Sequence, residues 1–496
     1  MLSLLTCAVI FGILIVSCVL AEGIYNIFFH PLMKFPGPKL WAASAIPSAI
    51  NVINGKPHLK ILELHSQYGD IVRVGPNELA FAHANAWTDV CGHLKRGQSE
   101  NEKHPHYSDE KIDSSLISAS RERHGPHRRM LSHAFSARAM AEQQPMINGY
   151  ISLLIRRLTE RGKNGTRALD MTEWYNWTTF DIIGDLAFGE SFGCLQNCKS
   201  HPWVDILFES MKSLPLLQVL QTLPLYDVVK PLLFAIFVPR DLFRKNQDSF
   251  EWSEVTLGKR LDLETSRPDF VDAMLKKKKA DYAMTRREMI DTSRVLTTAG
   301  SETTATTLTA VTYFLGTHPA VLARLTAEVH SAFTSEDEID INSVQNLPFM
   351  LAVLKETLRV YPAVPISLPR QAPSEGTQIA GHFIAGGTKL GIWQYALYHS
   401  PSKFLYPDRF VPDRWLDDPL FENDCKELHQ PFSYGPRNCI GMNLAYIEMR
   451  LILARLVWNF ELQLAADSRD WVKDQSIYFF WDKPPLNVYL KPRQAK

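Results

Sequence analysis

A run that opens on Thr285-Arg286-Arg287-Glu288 and closes at Gly316 and Pro319 sets the dimensions of anything this chain folds into. Thr285 and Glu288 have the spacing of a capping box, in which each side chain bonds the other residue's backbone N–H, and Gly and Pro are natural stop signals. About thirty residues at about 1.5 Å each make a helix near 45 Å, long enough to cross a whole domain. Its middle, Ala299-Gly300-Ser301-Glu302-Thr303-Thr304-Ala305-Thr306-Thr307, is poor helix-forming material apart from the alanines and Glu302. Such a weakened centre needs a reason. Threonine hydroxyls bond carbonyls one turn back and bend a helix, and Gly300 allows the close approach of a flat ligand. The alternative is a polar helix packed in a bundle with its threonines back-bonded.

The chain has 496 residues, 46% of them hydrophobic, enough for a large core. No low-complexity linker or solenoid-spaced repeat divides it after residue 40, so one large unit is expected. A formal net charge of zero argues against nucleic acid as the main partner. Seven cysteines, scattered and odd in number, do not make a disulfide framework. Cys194 and Cys198 lack a second pair at zinc-finger spacing and read as ordinary thiols. Asn164 and Asn176 head glycosylation acceptor patterns, inert if the domain faces the cytosol. Lys276–Lys279 reads as a solvated loop or helix end.

Residues 1–21 carry no charge and are dominated by Leu, Ile, Val, Ala and Phe. About 20 such residues span the roughly 30 Å of a bilayer's hydrocarbon layer. A cleaved signal peptide ending near Val19-Leu20-Ala21 is the competing reading. No basic n-region precedes the run and Lys34 and Lys39 follow it, which favours a single-pass anchor with a cytosolic C-terminal side. The expected organisation is a transmembrane anchor at 1–21, a proline-rich hinge at 22–40 around Phe35-Pro36-Gly37-Pro38, and a catalytic domain at 41–496.

One cysteine stands apart. Phe432-Ser433-Tyr434-Gly435-Pro436-Arg437-Asn438-Cys439-Ile440-Gly441 places Cys439 in a glycine-bracketed loop just before a run with helical periodicity, Asn443 to Leu453. A helix N-terminus beside a thiol lowers its pKa and readies it for a metal. Arg437 is placed to pair with a carboxylate of the ligand.

This loop resembles the haem-binding loop of the cytochrome P450 family, Phe-x-x-Gly-x-Arg-x-Cys-x-Gly, at Phe432, Gly435, Arg437, Cys439 and Gly441. Glu302 and Thr303 resemble the family's acid and alcohol pair. Glu356 and Arg359, three apart on a helix that Pro348 opens and Pro362 ends, resemble its Glu-x-x-Arg motif, with Arg414 of Val411-Pro412-Asp413-Arg414-Trp415 completing a buried triad. In the segment resembling the family's propionate-binding helix, His124 stands at the usual tryptophan position and Arg128 is kept. Arg370 matches a further propionate arginine.

The resemblance implies a mostly α haem-thiolate prism with a small β region near residues 50–85 and 365–395, strands being expected at Arg73–Phe81 and Thr377–Ile384. It implies haem b, with Cys439 as axial ligand and metal-binding residue, and Arg437, Arg128, Arg370, His124 and Phe432 around the cofactor. Glu302 and Thr303 would be the catalytic residues, relaying protons. The implied activity is a monooxygenase of the microsomal, fungal secondary-metabolite type, inserting one atom of dioxygen into a hydrophobic small molecule. Its electrons would come from an NADPH-cytochrome P450 reductase docking near Arg128, Arg129 and the Cys439 loop, with cytochrome b5 as a second candidate donor. The implied location is the endoplasmic reticulum membrane. A haem-thiolate isomerase or dehydratase, or more distantly a haem sensor or carrier, would use the same fold. Substrate contacts are expected from 95–116, 296–304, 364–368 and Ile477-Tyr478-Phe479.

Overall fold

The structure, a computed structural model, describes residues 4–94, 97–105, 114–220, 240–263, 267–275 and 283–493. The lysines at 276–279 and parts of the 95–116 segment lie outside them.

The capping box forms. Thr285 Oγ1 accepts from Glu288 N at 3.2 Å and Glu288 Oε2 accepts from Thr285 N at 2.6 Å. From this start the helix Arg286–Thr317 runs 32 residues, buried on almost every face from Ser301 to Leu315. It packs against the helix Met171–Phe188, itself buried along nearly its whole length. A Cβ on Gly300 would lie 2.8 Å from Ile183 Cδ1. Gly300 therefore serves close approach of two helices, not of the flat ligand expected from the sequence.

Pro348–Val360 forms the next motif-bearing helix, with proline in its first turn, and Met442–Asn459 follows the cysteine loop. A five-stranded sheet joins Ile71–Gly75, Glu78–Phe81, Lys389–Gly391, Arg370–Gln371 and Glu102–Lys103 in that spatial order. Thr377–Ile379 and His382–Ile384 pair as a hairpin, with Ala380 and Gly381 at positive φ in its turn. The strands thus begin at Ile71 rather than near 50, where Ile46–Ile53 and Pro57–Tyr68 are helical. Two further pairings have no counterpart in the sequence reading. Asn487–Pro492 lies between Leu169–Asp170 and Phe460–Leu464, and Ser476–Ile477 pairs with Trp481–Asp482.

The first described helix, Leu4–Phe28, extends past residue 21 and exposes Val9, Ile13, Leu14 and Leu20. Among the described residues no helix is long and apolar enough to cross a membrane. The segment after it lies against the domain. Arg73, fully buried, donates through Nη1 to Asn26 O at 2.8 Å, its backbone N–H donates to Pro36 O at 2.8 Å, and Leu32 and Phe35 are buried. Cys194 and Cys198 are free thiols, and no metal-holding group of His, Cys, Asp and Glu occurs among the described residues. Asn176 sits within the buried helix Met171–Phe188 with its side-chain oxygen enclosed, whereas Asn164 is exposed.

Candidate active site

The cysteine loop is shaped by its backbone. Gly435 has φ 76°, and a Cβ there would lie 1.9 Å from Cys91 O, so no other residue fits. The Cys439 N–H donates to Phe432 O at 2.8 Å, and the Phe432 ring packs 5.2 Å from that of Tyr446. Cys439 itself is exposed although the bulk of the domain surrounds it. Burial pushes its thiol up, and the Gly441 N–H and the Arg128 guanidinium only partly oppose this. The lowered pKa expected from the helix N-terminus is therefore not found in the free thiol: desolvation outweighs the dipole. A bound metal would deprotonate it outright.

Cations gather beside this sulfur. Arg128 donates to Asn438 O at 2.6 Å and also to Asn438 Oδ1, holding the loop. Arg437, its side chain buried, pairs with Glu100 at 2.7 Å and donates to Ala119 O at 2.9 Å. Arg370 is buried and stands directly across the strand ladder from Lys103. Like charges opposed in a ladder are destabilising. Burial, then Arg370 and Arg437, bring Lys103 down to about 7, while His124 falls to about 3 through burial and the same cations, leaving a neutral ring. Among the described residues Lys103, Arg128, Arg370 and Arg437 thus gather around His124 with one carboxylate, Glu100, which pairs with Arg437 and acts on Lys103. The surplus fits a ligand bearing two carboxylates beside an uncovered sulfur, which is the chemistry of a haem with its propionates. Lys103 and Glu100 escaped the sequence reading, which attached no motif to either.

On the long helix, Thr303 is half-buried and its hydroxyl donates to Ala299 O at 2.7 Å. Thr297, Thr298, Ser301, Thr307, Thr309 and Thr312 bond one turn back in the same way. Back-bonding therefore accounts for Ser301, Thr303 and Thr307 of the polar centre, whereas Thr306 bonds the Glu302 carboxylate instead. Glu302 is buried, and its Oε1 receives Lys483 Nζ and, at 3.2 Å, Thr306 Oγ1.

The triad assembles as the resemblance implied. Arg359 donates through Nη2 to Glu356 Oε1 at 2.7 Å and through Nε to Oε2 at 3.0 Å, and Arg414 Nε lies 3.3 Å from Glu356 Oε2. All three side chains are 0% exposed. The remaining groups are satisfied: Trp415 Nε1 and Val411 N donate to Glu356, Arg359 donates to the carbonyls of Tyr398, Pro407 and Arg409, and Arg414 meets Asp424. Asp424 is a fourth member the motif does not contain.

An uncovered sulfur next to cations short of anions is what a porphyrin carrying a thiolate-ligated iron requires, and the class this defines is a haem-thiolate oxidoreductase. The chain belongs to the cytochrome P450 family, whose model matches residues 36–490. It is a monooxygenase whose cofactor is haem-thiolate iron. It is 46% identical over 472 residues to a trichothecene C-15 hydroxylase of Fusarium sporotrichioides, covering 95% of both chains. It is also 42% identical over 472 residues to the cytochrome P450 monooxygenase astA of Talaromyces wortmannii, with 95% of this chain and 94% of that one covered. An averantin hydroxylase of Dothistroma septosporum is 41% identical over 474 residues, with 95% and 88% covered.

Proposed function

We propose that this chain is a membrane-anchored monooxygenase that hydroxylates or epoxidises a hydrophobic terpenoid, polyketide or alkaloid in fungal secondary metabolism. The uncovered Cys439 sulfur beside surplus buried cations carries the reading, and the hydroxylases among its relatives support it. Bound haem would supply dioxygen activation, with the thiolate favouring O–O cleavage. Arg437, Arg370 and Lys103 would neutralise the propionates and His124 would offer them a neutral N–H donor, while Arg128 steadies the loop through Asn438. Thr303 would turn its hydroxyl from Ala299 O to hold a proton for oxygen, and Glu302 would pass protons to it. Ile477, Tyr478 and Phe479 would contact substrate.

The Thr303→Ala variant is expected to keep its haem and its reduction by reductase while product per NADPH falls several-fold and hydrogen peroxide rises to match, because the proton reaches oxygen at the wrong moment. Product, NADPH and peroxide are counted together. Unchanged turnover without NADPH or dioxygen would instead make the chain an isomerase or dehydratase.

A reductase would dock on the side of the Cys439 loop, where Arg129 is exposed, beside a cleft of about 820 Å³ whose lining pairs Lys355 and Lys426 with Asp417 and Glu427, so that Arg129 and Arg128 supply the unbalanced positive charge. Acidic surface would be steered there, and cytochrome b5 would share it. The proposed location is the endoplasmic reticulum membrane, with residues 1–21 as anchor and the domain cytosolic. The uncharged N-terminal run and the exposed apolar side chains of Leu4–Phe28 support this. The full chain should sediment with microsomes and stay open to protease from outside. Recovery of a secreted form beginning at Glu22, or a glycan on the exposed Asn164, would refute the anchor.

A further inference from the structure

We propose that Lys483 is a positioning residue for the oxygen-dependent reaction, fixing the charge and direction of Glu302 from the C-terminal hairpin; this rests on the proton role proposed for Glu302 and Thr303. Lys483 directly follows the strand Trp481–Asp482, which pairs with Ser476–Ile477. Its Nζ meets Glu302 Oε1 and donates to Thr306 Oγ1 at 2.8 Å. Thr306, one turn along from Glu302, donates to that same oxygen. The side chains of Lys483 and Glu302 are 4% and 2% exposed, so this ion pair is held out of water.

Stripping water from two ions costs several kcal/mol, and pairs of this kind are poor sources of stability compared with apolar packing. A role beyond stability is the natural reading. The carboxylate is left half used: Glu302 Oε2 is enclosed and has no hydrogen-bond partner among the described residues. A buried acceptor in that condition calls for a water or an incoming proton. Among the described residues Tyr361 also faces it, at the end of the helix Pro348–Val360, and burial and then the Glu302 charge hold its phenol well above the usual range. Tyr361 donates to Gln475 instead, so Lys483 is the countercharge that Glu302 has in these contacts.

In this arrangement Lys483 gives up no proton. It keeps Glu302 a carboxylate between transfers, turned so that Oε1 is occupied and Oε2 stays free to take a proton from water and hand it on. The hairpin that carries Lys483 also carries Ile477–Phe479, with Phe479 at φ 115°, and is tied through Asp482 to Lys212 of the helix Pro202–Leu220 at 2.8 Å. Substrate contact and control of the acid therefore share one element.

The test compares Lys483→Met, Lys483→Arg and Glu302→Gln as haem-loaded full chains, with carbon-monoxide spectra confirming the cofactor. Without its ammonium the enclosed carboxylate keeps a proton to higher pH, so the acid-side limb of product per NADPH should move up by about one unit or more in Lys483→Met. An infrared band of a protonated carboxyl should appear in that variant without turnover, and adding Glu302→Gln should remove it. Lys483→Arg should restore both readouts. Should Lys483→Met fail to accumulate, Lys483→Gln keeps a donor and is expected to behave as Met does. An unshifted profile with no infrared band, while Glu302→Gln uncouples the enzyme, overturns the role of Lys483 alone. Full coupling in Glu302→Gln overturns the proton reading beneath it.

Discussion

Cys439→Ala should yield a folded protein whose reduced carbon-monoxide complex lacks the red-shifted Soret band of thiolate ligation and whose turnover falls by at least about three orders of magnitude, because no other group supplies the electron push of a thiolate. Folding should survive. The side chain is exposed, so its removal leaves no filled space empty, and the loop is held by the Cys439 N–H to Phe432 O bond, by Arg128 on Asn438 and by the fit of Gly435 against Cys91. Absorption spectra of reduced protein with carbon monoxide decide the matter. A red-shifted band persisting in the variant would assign the ligand to another sulfur, and Cys91, whose carbonyl abuts Gly435, is the first to replace.

Glu356→Ala is expected to have the largest effect on the fold itself. Glu356 is the one carboxylate shared by Arg359 and Arg414, and it also accepts from Trp415 and Val411. Removing it leaves the buried Arg359 guanidinium without a carboxylate and Arg414 with Asp424 alone, a loss of about 3–5 kcal/mol for a broken buried pair. Total stabilities run only to about 5–15 kcal/mol. Expression should give little haem-loaded protein, and what forms should melt well below the parent. The contrast is Asp413→Ala in the same meander, whose exposed pair with Arg324 at 2.6 Å should be worth less than about 1 kcal/mol. Haem content and melting temperature of the two variants, side by side, test whether burial sets the difference. Equal, mild effects would remove the triad from its proposed place in the fold.

What could be read before any coordinates was local in sequence. Thr285 and Glu288 announce their helix because cap and partner are three residues apart, and Pro348 and the Gly435–Cys439 loop likewise carry their signals within a few positions. Glu356 and Arg359 share a helical turn, and only the meander motif brought in Arg414. The partners that complete the site lie far off along the chain: Lys483 is 181 residues from Glu302 and Glu100 is 337 from Arg437. Nothing in a single sequence marks such pairs. Strands of two or three residues, such as Glu102–Lys103 and Arg370–Gln371, are too short to show alternation, so the ladder that opposes Lys103 to Arg370 was invisible as well. Gly300 was misread for a different reason. Glycine reports that something comes close, and only the fold says that it is Ile183.

The bond from Arg73 to Asn26 decides where this protein can be shortened. A worker wanting a form without the apolar N-terminal run would be drawn to cut at Pro36, where the chain visibly bends. That cut deletes the carbonyl of Asn26 and the packing of Leu32 and Phe35, and strands a fully enclosed guanidinium N–H. Trimming between residues 21 and 26 keeps that acceptor, so the usable start of a water-soluble version lies about ten residues upstream of the prolines.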